Sequence, residues 1–200
     1  MDVNDFDHIA PVYDRLARLV FGGDVLKSQL RFLDQVKSSD RVLILGGGTG
    51  QLLEHLPKCK EVDFVEKSSK MITRAKSRKS DQAINFIHKD FFEFETNQKY
   101  DMIICPFFLD CFNPESLYKA LHKTKSLLSE EGKLIVSDFD QKGTGKTLSC
   151  FMHLFFRVIS NLQSKQLGAI HSEVIAGGFS MIEEEFFNQN MIFSRLYRNL

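Results

Sequence analysis

Residues 41–50 read RVLILGGGTG, and this stretch decides the fold of the chain. An apolar run ends there in three glycines, Thr49 and a fourth glycine, Gly50. A short apolar run that stops at a turn signal is typical of a buried strand. In open α/β sheets, ligands bind beyond the carboxyl ends of the strands, and a glycine turn lets the backbone approach them closely. The stretch therefore predicts the first strand of such a sheet, with a ligand site at its end.

Beyond this strand, short β-branched runs alternate with helical patterns, as in βαβ units that build a parallel sheet. The clearest helix begins after Asn113, a favourable N-cap, with Pro114 at its first position and Gly132 predicted to end it. Further strands are predicted at residues 61–66, 84–88, 100–105 and 133–137, and further helices at 68–78 and 169–176.

The C-terminal end departs from this alternation. Residues 179–186 and 191–197 read as two strands, and the three polar residues 188–190 between them are few enough for a hairpin. We therefore expect a single α/β domain with a Rossmann-like, open, mostly parallel seven-stranded sheet. Helices should cover both faces, and the C-terminal hairpin should be antiparallel.

The composition excludes several classes of protein. Of 200 residues, 43% are hydrophobic, and 26 basic residues balance 26 acidic ones, whereas nucleic-acid binders normally carry a basic excess. The four cysteines form no CxxC pair, so we expect neither a zinc site nor a disulfide scaffold, but reduced thiols in a cytoplasm. The acidic N-terminus is unlike a signal peptide, and no uncharged apolar run approaches the roughly 20 residues that span a bilayer. Nineteen phenylalanines without a tryptophan should lie inside or line something apolar.

The spacing of the glycines distinguishes between two kinds of cofactor. The dinucleotide pattern GxGxxG requires a glycine at position 51, where the chain has Gln51. The chain instead has Gly46-x-Gly48-x-Gly50, which is the spacing of S-adenosylmethionine enzymes. This pattern favours S-adenosylmethionine over a dinucleotide.

A second glycine cluster at residues 143–147 resembles the end of a phosphate-binding P-loop. The full pattern GxxxxGK[ST] needs glycine at position 140, where Asp140 stands, and the cluster follows the fifth predicted strand instead of the first. We interpret it as a flexible connection and reject a nucleoside triphosphatase.

Polar and aromatic residues follow the next three strands at the same edge of the predicted sheet. Glu66 ends the second strand, where an acidic side chain accepts hydrogen bonds from ribose hydroxyls. After the third strand, Asp90 is suited to accept from an adenine amine while Phe91 or Phe92 covers the base. The fourth strand runs into Pro106, and the bend there should line the floor of the pocket.

With these residues in place, the sequence resembles a class I S-adenosylmethionine-dependent methyltransferase. The resemblance covers essentially the whole chain and rests on VLILGGGTG, VEKS, HKDFF, YDMIICPFFLDCF and LLSEEGKLIVSDF. The opening FDHIAPVYDRLARLVFG is similar to the subgroup that includes ubiquinone/menaquinone-biosynthesis methyltransferases. The resemblance to this family implies that S-adenosylmethionine is the cofactor and that a small-molecule methyl acceptor is the partner. The cofactor-binding residues that it implies are Tyr13, Gly46, Gly47, Gly48, Gly50, Glu66, Lys67, Asp90, Phe91 and Pro106.

The resemblance also implies how the domain is organised. Residues 1–37 would form an N-terminal helical lid, 38–140 the cofactor-binding core, 141–168 a helical insertion over the substrate site, and 169–200 the last helix and the hairpin. Two helical patterns in the lid, at about 9–21 and 25–36, meet at Gly22-Gly23, which suits a hinge. We expect residues 5–21 to become ordered when cofactor binds, with Tyr13 packed toward its methionine end.

The implied reaction is in-line transfer of the sulfonium methyl group to a small, hydrophobic or aromatic acceptor. The protein mainly holds the reactants at near-attack distance and excludes water, so no fixed catalytic residue is required. His8, Asp110 and His153 are candidate bases, but each is more often structural, and the catalytic residue stays unassigned.

One departure from the family leaves alternatives open. Its first motif usually has an acidic residue two positions before the first glycine, where this chain has Ile44. The departure supports a second hypothesis, a non-catalytic protein of the same fold that binds the cofactor or a partner. An NAD-dependent oxidoreductase is a third hypothesis, which Gln51 undercuts.

Overall fold

The computed structural model describes residues 14, 15, 18, 21–140 and 170–200, and its sheet has seven strands. They are β1 (Arg41–Leu45), β2 (Glu61–Glu66), β3 (Asn85–His88), β4 (Tyr100–Pro106), β5 (Leu128–Phe139), β6 (Phe179–Phe187) and β7 (Ile192–Asn199). Their order across the sheet is β3-β2-β1-β4-β5-β7-β6. The first five strands pair in parallel, and β7 pairs antiparallel with both β5 and β6. The predicted mostly parallel sheet with an antiparallel hairpin is confirmed.

Helices flank the sheet, and two of them begin at side-chain caps. The helices are α1 (Asp24–Leu30), α2 (Ser69–Lys76), α3 (Pro114–Leu127) and α4 (Ile170–Ala176), and residues 14, 15, 18 and 21 are helical as well. Asn113 Oδ1 accepts the Ser116 N–H at 2.9 Å, which confirms the predicted cap of α3. Ser68 Oγ accepts the Met71 N–H at 3.1 Å and caps α2. Of the pattern predicted at 25–36, only α1 is α-helical; it is followed by a 3₁₀ turn at Leu33–Gln35.

The predicted end of α3 at Gly132 is wrong. Helix α3 ends at Leu127 and β5 begins at Leu128, so Gly132 lies inside the strand. The register of β4 against β5 shifts between Tyr100 and Met102. Beside this shift, a Cβ at Gly132 would lie 3.0 Å from the Tyr100 carbonyl oxygen. The glycine therefore marks an irregularity in a strand, where the backbone of its neighbour approaches closely.

Apolar side chains pack on both faces of the central strands. Leu43 and Leu45 face a core that includes one side of α3, whereas Val42 and Ile44 face a core completed by residues 32–36 and 52–56. Burial on both faces is expected for a central parallel strand, and it fixes the turn that follows β1. None of the helices among the described residues is both long enough and apolar enough to cross a bilayer.

Candidate active site

A cavity opens at the carboxyl edge of the sheet, at the ends of β1 and β4. From β1 the chain builds outward through β2 and β3, and it then places β4 and β5 on the other side of β1. Such a reversal of strand order is the point at which open α/β sheets bind ligands. The lining comes from the turn after β1, from the ends of β2, β3 and β4, from α1, and from Asp14 and Arg18.

The glycine turn after β1 forms one wall of this cavity. A Cβ at Gly46 would overlap the Phe108 ring, and one at Gly47 would overlap the Phe64 ring, so packing of the protein itself requires these two glycines. At Gly48, which has a φ of +55°, no atom of the described residues lies within 4 Å of an added Cβ. The space in front of Gly48 is the cavity. A ligand can therefore lie directly against the backbone at Gly48.

Glu66 places a buried carboxylate beside this turn. Its side chain is 8% exposed, its Oε2 accepts the Gly48 N–H at 3.0 Å, and its Oε1 accepts the Ser68 N–H at 2.8 Å. Burial raises the pKa of Glu66, and the N–H groups of Ser68 and Gly48 partly offset that rise. Each carboxylate oxygen can accept more than one hydrogen bond, so both can still accept from a ligand.

Asp90 and Lys67 form a second polar group at the ends of β3 and β2. Asp90 Oδ1 accepts the Phe92 N–H at 2.9 Å, and its Oδ2 lies 3.2 Å from Lys67 Nζ. The carbonyl oxygen of Lys67 lies 2.9 Å from His88 Nε2. Asp90 is therefore held by its own turn on one side and by a lysine on the other, facing the same cavity as Glu66.

The cavity gathers most of the residues that the sequence predicted as cofactor contacts. Those in its lining are Gly46, Gly47, Gly48, Glu66, Lys67, Asp90, Phe91 and Pro106. Gly50 is not part of the lining; it has a φ of +72°, and a Cβ there would lie 2.8 Å from the Cβ of Ala75 in α2. Tyr13 lies outside the described residues, as do the candidate bases His8 and His153.

The N-terminal segment is tied to the glycine turn through Asp14. Thr49 Oγ1 donates to Asp14 Oδ1 at 2.6 Å, and the Arg78 guanidinium donates to Asp14 Oδ2. Arg78 Nε also donates to the Thr49 carbonyl oxygen at 3.0 Å. This network holds Asp14 at the rim of the cavity. Asp14 follows Tyr13 in the sequence, so the YD pair was a signal that sequence reasoning used only in part.

Sequence reasoning placed α1 within the predicted lid segment 1–37 but named none of its residues as lining the cavity. Val25, Leu26 and Gln29 line the cavity, and the helix is anchored because Ser137 Oγ donates to the Ser28 carbonyl oxygen at 2.9 Å. Gly22, at the predicted hinge, has a φ of +64° and lies immediately before this helix. Cys111 and Phe112 were also missed as lining residues, although their sequence neighbours were considered.

Asp110 and Asp138 form a buried carboxyl pair that is not part of the cavity lining. Asp138 Oδ2 accepts the Asp110 N–H at 3.1 Å, and its Oδ1 accepts the Phe139 N–H at 2.9 Å. Burial raises the pKa of Asp110 to about 6, and burial together with the neighbouring Asp110 raises the pKa of Asp138. Cys111 does line the cavity, and its Sγ lies 3.5 Å from Asp110 Oδ1. The candidate base Asp110 thus lies behind the cavity wall.

The chain is similar to known methyltransferases in sequence. A family model described as "Methyltransferase domain" matches residues 42–132, which run from β1 into β5. The malonyl-[acyl-carrier protein] O-methyltransferase of Priestia megaterium (strain DSM 319 / IMG 1521) is 30% identical over 159 residues, or 74% of this chain. The match covers 54% of that protein, so the chain spans about half the length of the curated relative it matches.

Solved structures show the same fold at lower identity. One is a chain of the complex between the Haloferax volcanii Trm112 methyltransferase activator and a methyltransferase; it is 13% identical with a TM-score of 0.77, and the match covers 99% of both chains. Another is the magnesium protoporphyrin IX methyltransferase of Synechocystis PCC 6803 with bound S-adenosylhomocysteine. It is 18% identical with a TM-score of 0.69, and the match covers 98% of both chains.

Proposed function

We propose that this chain is a class I S-adenosylmethionine-dependent methyltransferase that transfers a methyl group to a small, hydrophobic or aromatic acceptor. The match to a methyltransferase domain model over residues 42–132 and the 30% identity to an O-methyltransferase support this proposal. One observation carries the proposal: the open backbone at Gly48 and the carboxylates of Glu66 and Asp90 converge on a single cavity at the switch point of the sheet. These groups match the hydrogen-bond donors that S-adenosylmethionine presents.

The residues of the cavity fit S-adenosylmethionine. A ribose diol offers two donors, and Glu66 offers two oxygens that each accept one backbone N–H and can accept more. An adenine amine is a donor suited to Asp90, and Phe91 lines the cavity next to it. The absent side chain at Gly48 leaves room for the cofactor to cross the backbone toward β4.

When bound, S-adenosylmethionine would supply a sulfonium methyl group: an acceptor nucleophile would bond to the methyl carbon in line, the carbon–sulfur bond would break, and S-adenosylhomocysteine would leave. The chain's own task is to hold the two reactants in line and to exclude water. The glycine turn, Glu66 and Asp90 orient one reactant from the β1–β3 side. Helix α1, anchored to β5 through Ser28, closes the cavity from above the sheet edge.

The names of the similar proteins describe different acceptors, so the lining of the cavity is the better guide to the chemical class of the acceptor. Apolar side chains from α1 and from the segment after β4 line the wall away from Glu66 and Asp90. Val25, Leu26 and Phe107 belong to this wall. Apolar and aromatic walls with few polar groups are typical of sites for small apolar ligands, which supports a hydrophobic or aromatic acceptor.

Isothermal titration with S-adenosylhomocysteine tests the cofactor site. We expect saturable binding by the parent and its loss in Gly48→Val, because the added side chain would fill the space in front of the turn. Gly178→Val is the matched control: Gly178 has a φ of +85°, so the change strains the backbone similarly, but it lies outside the cavity lining. Thermal unfolding of both variants reports whether they fold.

Two results would contradict the proposal in different ways. If the folded parent produces no heat with S-adenosylhomocysteine at high micromolar concentration, the chain does not bind this cofactor. If Gly48→Val binds as tightly as the parent, the site is elsewhere.

Turnover separates the enzyme from its non-catalytic alternative. Ile44, fully buried in the core where the family usually has an acidic residue, favours that alternative. Phenolic, quinone-like and carboxylate acceptors are offered with S-adenosylmethionine, and products are detected by mass spectrometry. One methylated product supports the enzyme, whereas binding without turnover across the panel favours the alternative.

A further inference from the structure

Phe107 has a backbone conformation that phenylalanine seldom adopts. Its φ is +53°, in the left-handed region that is sterically unfavourable for residues with a Cβ. The other described non-glycine residues with positive φ, at 188–190, all lie in the hairpin turn between β6 and β7. Phe107 instead follows β4 directly, and its N–H donates to the Ser137 carbonyl oxygen at 2.7 Å. Backbone strain of this kind persists where the surrounding structure imposes it, and it is common at ligand sites.

The rings of the two consecutive residues Phe107 and Phe108 pack against different neighbours. The Phe108 ring lies over Gly46 and makes edge contacts with Phe91 at 5.7 Å and Phe112 at 4.9 Å between ring centroids. The Phe107 ring lies 4.8 Å from the ring of Phe139 at the end of β5. Phe108 therefore belongs to the side of β1 and β3, and Phe107 belongs to the side of β5.

These two sides have different roles in the proposed site. Glu66 and Asp90, the proposed ribose and adenine contacts, lie at the ends of β2 and β3, on the Phe108 side. A cofactor held across Gly48 by these residues would meet its acceptor on the other side of the cavity, toward β4 and β5. Phe107 lines the cavity on that side and is half-buried.

We propose that Phe107 determines acceptor specificity by presenting its ring to a planar, unsaturated group that carries the methylated atom. This inference rests on the proposed function and specifies the acceptor. Phenylalanine has no polar atom, and aromatic rings prefer other rings in offset or edge-on arrangements. Cys111 lines the same wall, and burial with the nearby Asp110 raises the pKa of its thiol, so that it presents an uncharged surface. An uncharged, flat group fits this wall better than an ion.

The test measures binding of 2-naphthol, a planar alcohol, and of decahydro-2-naphthol, its saturated counterpart, to protein saturated with S-adenosylhomocysteine. We expect the parent to bind 2-naphthol about fivefold more tightly than the saturated compound. Phe107→Leu keeps an apolar side chain but removes the flat ring. It should abolish this preference while changing the affinity for S-adenosylhomocysteine less than twofold.

Phe108→Leu is the matched control at the neighbouring position. It should weaken S-adenosylhomocysteine, because Phe108 packs on Gly46 in the glycine turn, and it should retain the preference for 2-naphthol. Phe107→Gly also removes the ring, and glycine adopts the left-handed backbone conformation without strain. The affinities of this variant for the two alcohols can therefore be compared if Phe107→Leu does not fold.

Each outcome decides a separate point. A parent that binds S-adenosylhomocysteine but shows no preference for 2-naphthol, or binds neither alcohol, overturns this inference and leaves the cofactor site standing. An unchanged preference for 2-naphthol in Phe107→Leu also overturns the inference. So does a Phe107→Leu variant whose affinity for S-adenosylhomocysteine falls as much as its affinity for 2-naphthol. Failure of the parent to bind S-adenosylhomocysteine instead overturns the proposed function.

Discussion

Replacing Asp110 by asparagine should stabilise the protein at neutral pH. Asp110 is 6% exposed, and burial raises its pKa from an ordinary 3.8 to about 6. Each pKa unit corresponds to about 1.4 kcal/mol, so the ionised carboxylate lowers the free energy of unfolding by about 3 kcal/mol. Asparagine has nearly the same shape and no charge, and the Asp110 N–H that Asp138 accepts belongs to the backbone. The variant therefore removes the cost of the charge and keeps the turn.

The pH dependence gives this prediction its sign. A carboxyl whose pKa is higher in the folded state than in the unfolded state holds its proton more tightly when folded. The free energy of unfolding then falls as pH rises from 3.8 to about 6, and the loss is complete above that range. Asp110→Asn has no such titration. It should match the parent near pH 4 and exceed its stability by up to about 3 kcal/mol at pH 7.5.

Urea unfolding followed by circular dichroism at pH 4, 5, 6 and 7.5 measures this difference. Asp34→Asn, at an exposed aspartate, controls for the loss of one negative charge. The reasoning is refuted if the difference between parent and Asp110→Asn is the same at every pH, or if the variant is the less stable protein at pH 7.5. Either result would mean that the carboxyl pair is stabilised by contacts that outweigh its burial.

Two further predictions concern the proposed cofactor site and the segment expected to form its lid. Burial raises the pKa of Glu66, so this carboxylate takes up a proton at a higher pH than an ordinary glutamate does. The affinity for S-adenosylhomocysteine should therefore begin to weaken at that higher pH as the solution is acidified. Calorimetry from pH 5 to 8 measures this effect. Glu66→Gln should bind S-adenosylhomocysteine about tenfold more weakly than the parent at pH 8, and its affinity should no longer depend on pH. If its affinity falls on acidification as the parent's does, another group is responsible for the titration. Hydrogen exchange in a peptide covering residues 14–21 should slow when S-adenosylhomocysteine is added, and Asp14→Asn should reduce this protection, because Asp14 joins that segment to Thr49. Equal exchange of the parent with and without ligand would show that the segment does not close on the cofactor.

The sheet could be predicted because its strands are local apolar runs between turn signals. RVLIL before the glycines and the alternating runs after it each correspond to an observed strand. The end of α3 could not be predicted in the same way. Glycine both terminates helices and permits close approach between strands, and only the register shift between Tyr100 and Met102 decides which role Gly132 has.

Part of the candidate site could be predicted for the same reason. Residues that end parallel strands meet at one sheet edge, so Glu66, Asp90 and Pro106 could be placed in one cavity from their positions in the sequence. The contribution of α1 had no such signal. Its apolar pattern fits packing against the sheet as well as lining a cavity, and only the contact of Ser28 with Ser137 shows how the helix is held.

The two halves of the cavity differ in how far their chemistry can be inferred from sequence. The β1–β3 half contacts its proposed ligand through backbone at Gly48 and through two carboxylates, and such requirements leave characteristic residues at fixed spacing. The β4–β5 half is built from apolar side chains of separate segments: the ring of Phe139 lies 5.3 Å from that of Phe21, and Phe107 packs against it from the end of β4. Apolar residues in helices and strands are common for reasons of packing alone. The positive φ of Phe107, a property of the backbone and not of the sequence pattern, is the observation that favours the proposed acceptor wall over ordinary core.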